Sequence, residues 1–195
     1  MSPQANPRRC FGTGDPLMEA YHDLEWGVPV HDSRALFEKL LLDSFQAGLS
    51  WRTILHKRDN FRRAFHGFDP ERLARYTARD RRRLLADAGI VRNRLKIEAA
   101  ISNAQAFLRL EEELGSFADY LWRFTGGRTL RGRARRTWTQ MPTHSPESDA
   151  MAKDLQGRGF RFVGTTICYA FMQAVGMVDD HLAICFRYQP RRRAG

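Results

Sequence analysis

The chain has 195 residues, of which 43% are hydrophobic, and its formal net charge is +10 with an isoelectric point near 10.2. This length allows one compact core or two small lobes that share one, and it makes a disulfide-dependent miniature domain unnecessary. The excess of positive charge favours a partner with a phosphate backbone or an acidic membrane surface, and nucleic acid is the better candidate. An arginine-rich genome is the alternative source of that charge.

The first seven residues lack the apolar core of a signal peptide, and no segment approaches the length of a membrane span. We therefore expect a cytoplasmic protein without membrane contacts. The three cysteines, Cys10, Cys168 and Cys185, are an odd and sparse set, which makes a disulfide framework unlikely in that compartment. Metal ligation or simple burial is the better explanation for them.

Helix-capping residues recur along the chain, and apolar residues at a spacing of three or four follow them. The predicted helix starts are Asp15-Pro16, Asp32 or Ser33, Ser50, Asp69-Pro70, the Thr77-x-x-Asp80 box, Asn93, Ser116 and Ser145-Pro146. Strand-like alternation is confined to the run Phe160–Val163. We predict an all-α protein with one domain over residues 1–195, formed by two helical lobes.

Two segments lie outside this helical pattern. The basic, glycine-containing stretch 125–136 is predicted to be a surface loop, and contact between it and DNA is left open. The terminal segments 1–8 and 189–195 are predicted to be flexible. The pattern does not decide the oligomeric state, and a monomer is the default expectation.

Four possible metal ligands lie near the two ends of the chain. Cys10 and His22 are close to the start, and His181 and Cys185 are spaced i, i+4 near the end, which on a helix places both side chains on one face. Two cysteines and two histidines make a closed tetrahedral set for zinc, so the predicted role is structural. The alternative is that these residues are ordinary core or surface groups.

The stretch Asp87–Val91 lies between two predicted helices and is similar to a helix-hairpin-helix turn. In that motif, the backbone N–H groups around a glycine and the N-terminus of the next helix face a phosphate. The corresponding parts of this chain are Gly89, Ile90 and the helix that begins after Asn93. The additional candidates for the same DNA backbone are Arg92, Arg94 and Lys96. An ordinary glycine cap followed by a charged turn would show the same pattern.

Asp43 follows Leu40-Leu41-Leu42 on a predicted apolar helix. A buried carboxylate needs a partner, so Asp43 indicates either a local hydrogen-bonded cap or a site for a cationic or amine-bearing ligand. Tyr21, Trp26 and Trp51 are the rings expected to stack on a base and to attract a positively charged, alkylated purine. Core packing is the commoner role of such rings.

Several of these stretches together resemble the DNA-3-methyladenine glycosylase I family, which consists of bacterial base-excision enzymes with a helix-hairpin-helix architecture. The matching strings are Tyr21-His22-Asp23-x-Glu25-Trp26-Gly27, Gln46-Ala47-Gly48-Leu49-Ser50-Trp51, Asp87-Ala88-Gly89-Ile90, residues 164–169 (Gly-Thr-Thr-Ile-Cys-Tyr) and His181-x-x-x-Cys185. The likeness runs from about Cys10 to Cys185, which is nearly the whole chain.

The resemblance implies a role for each of these groups. Cys10, His22, His181 and Cys185 are expected to bind a structural zinc, and Tyr21, Trp26 and Trp51 to surround the extruded base. Gly48 and Leu49 are expected to probe the gap that the base leaves in the duplex. The family lacks the usual catalytic aspartate of helix-hairpin-helix glycosylases, because its cationic substrate already has a weakened glycosidic bond.

Three positions depart from the family pattern. Asp43 stands where better-known members carry a base-recognising glutamate, so its carboxylate is one methylene shorter. The Cys10–Asp15 segment is one residue short, and Met18 replaces an expected tyrosine. These departures are expected to affect the substrate range and the excision rate, and not the fold or the binding of zinc.

The expected function is that of a monofunctional DNA glycosylase that hydrolyses the N-glycosidic bond of N3-methyladenine in double-stranded DNA. Asp43 is its principal catalytic candidate, and no nucleotide cofactor is expected, since no phosphate-binding glycine motif is present. One alternative is a protein of the same fold that binds damaged DNA or a free base with weak or altered excision. Another is a metallohydrolase, which would require an open metal position that four protein ligands leave no room for.

Overall fold

The computed structural model describes residues 7–190, which are mostly helical. The described chain contains ten α-helices and two strands of two residues each. The helices are α1 (Pro16–Leu24), α2 (Ser33–Gln46), α3 (Trp51–His56), α4 (Arg58–Ala64), α5 (Pro70–Ala74), α6 (Ala78–Ala86), α7 (Arg94–Leu114), α8 (Phe117–Trp122), α9 (Pro146–Gly157) and α10 (Thr165–Ala174). The strands are β1 (Leu130–Arg131) and β2 (Val178–Asp179).

The predicted caps begin the predicted helices. Asp32 accepts from the backbone N–H of Ala35, which decides between the two residues proposed at the start of α2. Thr77 and Asp80 form a reciprocal capping box at α6, and Asn93 caps the long helix α7 through the N–H of Lys96. The sequence rule was reliable here because a cap satisfies N–H groups of its own first turn.

The strand-like alternation at residues 160–163 does not produce a strand, whereas a short strand pair that the all-α prediction did not include forms elsewhere. Residues 160–163 are irregular, with Phe162 at φ +56°, whereas β1 and β2 pair in parallel with Leu130 opposite Val178. β1 lies inside stretch 125–136, so this stretch is not only a loop. A pairing across nearly fifty positions leaves no local alternation for sequence analysis to detect.

The hydrophobic core has two parts. The larger cluster surrounds α2 and α7, which lie in contact and bury residues such as Leu40, Phe45 and Phe107. The smaller cluster joins the two ends of the described chain, and its buried members are Cys10, Tyr21, Trp26, Leu55, Ala174, Leu182 and Cys185. The aromatic and metal-ligand candidates from the sequence therefore come together in this smaller cluster.

The described helices include none that is long and apolar enough to cross a membrane. Cys10, Cys168 and Cys185 are buried and form no disulfide. The predictions for segments 1–8 and 189–195 concern mainly residues 1–6 and 191–195, which lie outside the described residues. Within the described part, the backbone N–H of Phe186 donates to the carbonyl oxygen of Arg8 at 3.0 Å.

Candidate functional site

Three of the four predicted metal ligands form a compact buried cluster. The Sγ atoms of Cys10 and Cys185 and a ring nitrogen of His22 lie within 4.8 Å of one another. His22 Nε2 is 3.3 Å from Cys185 Sγ. The fourth candidate, His181, packs its ring edge-on against that of His22 with 5.4 Å between ring centroids.

Both histidines are oriented by carboxylates. Asp23 Oδ1 lies 2.8 Å from His22 Nδ1, and Asp179 Oδ1 lies 3.0 Å from His181 Nδ1. A carboxylate on Nδ1 favours the proton on that atom, so Nε2 carries the lone pair that a metal would bind. In His22 this lone pair accepts from the backbone N–H of Cys10 at 3.2 Å. Asp23 is itself held by a two-pronged ion pair with Arg9, whose Nη2 is 2.7 Å from Asp23 Oδ2.

The chemistry of this donor set fits a soft divalent cation. His181 Nε2 is buried and has no hydrogen-bond partner in the described chain, which is an unusual condition for a ring nitrogen. Burial raises the pKa of the Cys10 thiol to about 12, so a bound cation is what would stabilise its thiolate. Two sulfurs and two imidazoles are a typical ligand set of structural zinc.

The local backbone around His181 differs from the helix considered in the sequence analysis. Residues 181–185 form an irregular turn in which Cys185 N donates to Leu182 O at 2.7 Å. The turn still places both His181 and Cys185 in the interior. Gly27 permits the close approach of the His181 ring, because a Cβ on Gly27 would lie 2.7 Å from His181 Cε1.

A pocket of about 250 Å³ lies beside this cluster. Tyr21 and His22 are adjacent on α1, so the tyrosine lines the pocket while the histidine belongs to the metal-ligand cluster. Trp26 borders both regions, since its ring lies 6.1 Å from that of His22 and 4.6 Å from that of His181, the fourth ligand candidate. The residues that line the pocket are Phe11, Met18, Tyr21, Trp26, Lys39, Asp43, Gln46, Trp51, Trp138, Ala170, Gln173 and Ala174.

The structure brings the predicted base-binding residues together. Tyr21, Trp26, Asp43 and Trp51 all line the pocket, and the rings of Tyr21 and Trp51 lie 5.0 Å apart. Asp43 Oδ2 and Trp51 Nε1 are buried without a hydrogen-bond partner among residues 7–190. One free acceptor and one free donor among aromatic rings suit a flat ligand with polar edges.

Asp43 has a partner that the sequence analysis missed. Lys39, one helical turn earlier on α2, forms an ion pair with Asp43 Oδ1, and its Nζ lies 3.9 Å from the centroid of the Trp51 ring. Burial raises the pKa of Asp43 and lowers that of Lys39, while each charge opposes the shift of the other. The i, i+4 spacing of the two residues was the signal that could have identified this pair.

The predicted hairpin lies between α6 and α7. Gly89 N donates to Asp87 Oδ1 at 2.7 Å, and Lys57 Nζ donates to the carbonyl oxygen of Gly89 at 3.2 Å. A Cβ on Gly89 would lie 2.9 Å from Asp87 Oδ1 and 3.2 Å from Asn60 Cβ, so a larger residue would crowd these two side chains. The side chain of Ile90 is only 3% exposed and packs in the larger core, which leaves the backbone as its contribution to a surface.

The charged candidates around the hairpin separate into two groups. Arg92 and Arg94 are exposed, and Arg94 Nε forms an ion pair with Glu98 at 2.8 Å. Lys96 is buried, contrary to the expectation that it contacts the DNA backbone. Its Nζ is buried and donates to the carbonyl oxygens of Phe45, at 2.9 Å, and Ala47. Lys96 therefore stabilises the end of α2, whose last carbonyls lack helical partners.

Gly48 and Leu49 form an exposed tip directly after this stabilised end of α2. Gly48 has φ +75°, a conformation that favours glycine, and Leu49 is 43% exposed. Leu49 is thus an exposed apolar side chain on a tight turn two residues before the pocket residue Trp51, a position from which it could insert between bases.

These features define a helical protein with an aromatic pocket for a flat ring, next to a buried cluster of cysteine and histidine. Residues 11–188 match the family model for methyladenine glycosylase. The DNA-3-methyladenine glycosylase 1 of Escherichia coli (strain K12) is 51% identical over 181 residues, which cover 92% of this chain and 96% of that protein. This chain therefore belongs to the methyladenine glycosylase family.

Solved structures agree with this assignment. A crystal structure of 3-methyladenine DNA glycosylase I is similar with a TM-score of 0.90 and 52% identity, and the match covers 93% of this chain and all (100%) of that one. The 3-methyladenine DNA glycosylase I of Staphylococcus aureus, solved to explain its recognition of 3-methyladenine, gives a TM-score of 0.87 at 38% identity. That match covers 94% of this chain and 97% of the other.

Proposed function

We propose that this protein excises 3-methyladenine from DNA by hydrolysing the bond between the base and its deoxyribose. The observation that carries the proposal is the buried carboxylate of Asp43 within the pocket that Tyr21, Trp26 and Trp51 line. Membership of the methyladenine glycosylase family and the names of the Escherichia coli and Staphylococcus aureus relatives support it.

The bond that breaks joins N9 of the base to C1′ of the sugar. Methylation at N3 leaves a positive charge on the purine, so the bonding electrons return to the ring and the base departs neutral. The oxygen of a water molecule bonds to C1′, and the water proton is released to solvent. No covalent bond to the protein is needed, which makes the enzyme a monofunctional glycosylase and leaves an abasic site.

Asp43 is proposed to recognise the extruded base. Its unpartnered Oδ2 is an acceptor suited to the exocyclic amino group of an adenine, and its negative charge favours a cationic ring. Tyr21, Trp26 and Trp51 are proposed to stack around that ring and to exclude water. Extrusion costs a few kcal/mol and costs least for a base that already pairs and stacks poorly, so a methylated adenine enters most readily.

A structural zinc is proposed for Cys10, His22, His181 and Cys185. The carboxylate on each histidine and the unpartnered Nε2 of His181 support this assignment. When bound, the zinc would link the first helix to the end of the chain and would supply folding free energy rather than chemistry. Four protein ligands leave no position for a substrate or a water molecule.

Double-stranded DNA with alkylated bases is the proposed partner, and no nucleotide cofactor is needed. The turn over residues 87–93 is proposed to be a helix-hairpin-helix whose backbone near Gly89 and Ile90, with Arg92 and Arg94, contacts phosphates. Gly48 and Leu49 are proposed to enter the gap left by the base. We propose that residues 1–195 form one catalytic domain of two helical lobes and act as a monomer.

Chromatography of the bases that the protein releases from methylated duplex DNA tests this function. Free 3-methyladenine should appear together with an equal number of abasic sites, and an unmethylated duplex is the control that should release no base. Tight binding to methylated DNA without any free base would instead identify a damage-binding protein of the same fold.

A further inference from the structure

Lys39 lies in the pocket that the proposed function assigns to the base. Its ammonium group contacts Asp43 Oδ1 and lies 3.9 Å from the centre of the Trp51 ring, and its side chain is 16% exposed. A carboxylate and the face of an indole are the two groups that attract a cationic purine. In this chain the ammonium group of Lys39 already contacts both of these groups.

The ion pair leaves one polar group of Asp43 unused. Oδ2 is buried and has no partner among residues 7–190, although Oδ1 is paired. A buried carboxylate whose charge is balanced still lacks a hydrogen-bond donor for its second oxygen. The side chains of the pocket are therefore balanced in charge, while Asp43 Oδ2 lacks a hydrogen-bond donor.

A second cavity adjoins the base pocket and offers a second position for the ammonium group of Lys39. This cavity has a volume of about 260 Å³ and shares Tyr21, Lys39, Trp51 and Ala174 with the base pocket. It is also lined by the carboxylates of Glu25 and Glu38 and by the guanidinium groups of Arg58 and Arg62.

Each of these carboxylates already forms an ion pair with an arginine. Arg58 Nη2 lies 3.0 Å from Glu25 Oε1, and Arg62 Nε lies 2.8 Å from Glu38 Oε1. Each carboxylate has two oxygens with two acceptor sites each, so each accepts a further donor beside its arginine. The lysine side chain has four flexible carbons and lines both cavities, so rotation about its bonds can carry the ammonium group from one cavity to the other.

We propose that Lys39 is an internal counter-cation of the base pocket, which holds Asp43 and Trp51 while the pocket is empty and moves toward Glu25 and Glu38 when a cationic base enters. This inference rests on the proposed function and adds a means of selection to it. A positively charged base replaces the charge that it displaces, whereas a neutral adenine would leave Asp43 as a buried and unbalanced carboxylate. Lys39 is thus a specificity-determining residue that rejects undamaged adenine.

Two small probes separate the effect of charge from the effect of shape. The first is 3,9-dimethyladeninium, which is cationic at the pH of the experiment, and the second is the neutral 9-methyladenine. Both are titrated into wild-type protein, into Lys39→Met and into Lys153→Met by calorimetry at pH 8. Lys153 is exposed on α9 and lies outside both cavities, so its substitution is a matched control.

Lys39→Met should bind the cationic probe at least about tenfold more tightly than wild type, because the probe no longer competes with an ammonium group. Binding of 9-methyladenine should not improve by the same factor, and Lys153→Met should match wild type for both probes. Unchanged binding of the cation by a folded Lys39→Met protein, or equal gains for both probes, would overturn the proposal.

A crystal structure of wild-type protein with bound 3,9-dimethyladeninium gives an answer even if Lys39→Met fails to fold. The proposal requires the Lys39 ammonium group to have left Asp43 and to lie in the cavity of Glu25 and Glu38. A Lys39–Asp43 ion pair that persists beside the bound cation would contradict it, and so would failure of the cation to bind the folded wild-type protein. Release of 3-methyladenine by wild type is measured separately, so loss of the Lys39 mechanism would leave the proposed function standing.

Discussion

The indole nitrogen of Trp138 donates a hydrogen bond of 2.8 Å to the carbonyl oxygen of Cys10. Trp138 lines the base pocket, and Cys10 is a proposed metal ligand, so this bond connects the two sites across most of the chain. Trp26 connects them a second time through its contact with His181. The metal-ligand cluster is therefore expected to hold one wall of the pocket in position.

Metal content gives the first test of that cluster. The purified protein should contain about one equivalent of zinc, and Cys10→Ser should lose the metal and unfold at a lower temperature, because metal binding contributes directly to folding. Cys168→Ser is the matched control, since Cys168 is also buried but lies outside the cluster. Elemental analysis and thermal melting measure both effects. The zinc assignment would be wrong if purified wild-type protein contained no metal. It would also be wrong if Cys10→Ser contained as much zinc per protein molecule as wild type.

Gly27→Ala should destabilise the protein by more than its backbone conformation alone explains. Gly27 has φ +78° and its added Cβ would meet the His181 ring at 2.7 Å, whereas Gly14 has φ +87° and nothing within 4 Å. Gly14→Ala therefore reports the conformational cost alone, about 1–2 kcal/mol, and Gly27→Ala adds a steric cost. Urea unfolding of both variants measures the difference. If both variants lose the same free energy of unfolding, the His181 ring moves away from the added Cβ without a measurable energetic cost.

Arg94 should contribute to the salt dependence of DNA binding. Each phosphate contact adds roughly 0.9 to the slope of log affinity against log salt for duplex DNA, so Arg94→Gln should lower that slope by about one if Arg94 contacts a phosphate. Arg109 is exposed on the same helix about 22 Å away, as estimated from the helical rise, and Arg109→Gln should leave the slope unchanged. Fluorescence anisotropy with an undamaged duplex measures the slopes, and identical slopes for both variants would count against the hairpin as the DNA contact.

Asp15 should make a pH-dependent contribution to the stability of α1, the helix that carries Tyr21 and His22. Its carboxylate pairs with His56 and caps the helix, which lowers the pKa of Asp15 to about 2. Since this value lies below the unfolded pKa of about 3.9, the stabilisation is complete above that pH and disappears as the pH falls toward 2.

The stability difference between wild type and Asp15→Asn should therefore be larger at pH 5 than at pH 2.5. Asp59→Asn provides a control at an exposed aspartate. Thermal melting at the two pH values measures the difference. A difference that is the same at both would show that the ionised Asp15 does not stabilise α1.

The sequence predicted features formed within one helical turn better than contacts between residues that lie far apart in the chain. Caps such as Asp32 and Asn93 act within one helical turn, so their effect is visible in a short window of sequence. The β1–β2 pair and the contact of Lys96 with the carbonyl of Phe45 join residues about fifty positions apart, and no local periodicity reports them. Tertiary packing alone determines these contacts.

The candidate site shows the same division. Tyr21, Trp26, Asp43 and Trp51 were identified from residue type and family resemblance, and they do line one pocket. Trp138 was missed because it follows an irregular segment and reaches the pocket only through the fold. Lys39 was missed for a different reason, since a lysine on a helix is ordinarily solvated, and its burial beside Asp43 depends on how Trp51 covers it.

Single-turnover excision of 3-methyladenine tests whether Asp43 recognises the extruded base. Asp43→Asn keeps the size of the side chain but removes its charge, so the excision rate should fall at least about tenfold, which corresponds to roughly 1.4 kcal/mol. Fold and metal content should not change. Asp43→Glu keeps the charge and should retain activity.

The measurement compares the single-turnover rates of wild type, Asp43→Asn and Asp43→Glu on one duplex that contains 3-methyladenine. We expect a loss of at least about tenfold for the asparagine variant and activity near or above wild type for the glutamate variant. A folded Asp43→Asn protein that excises the base as fast as wild type would contradict the assignment of Asp43 to base recognition.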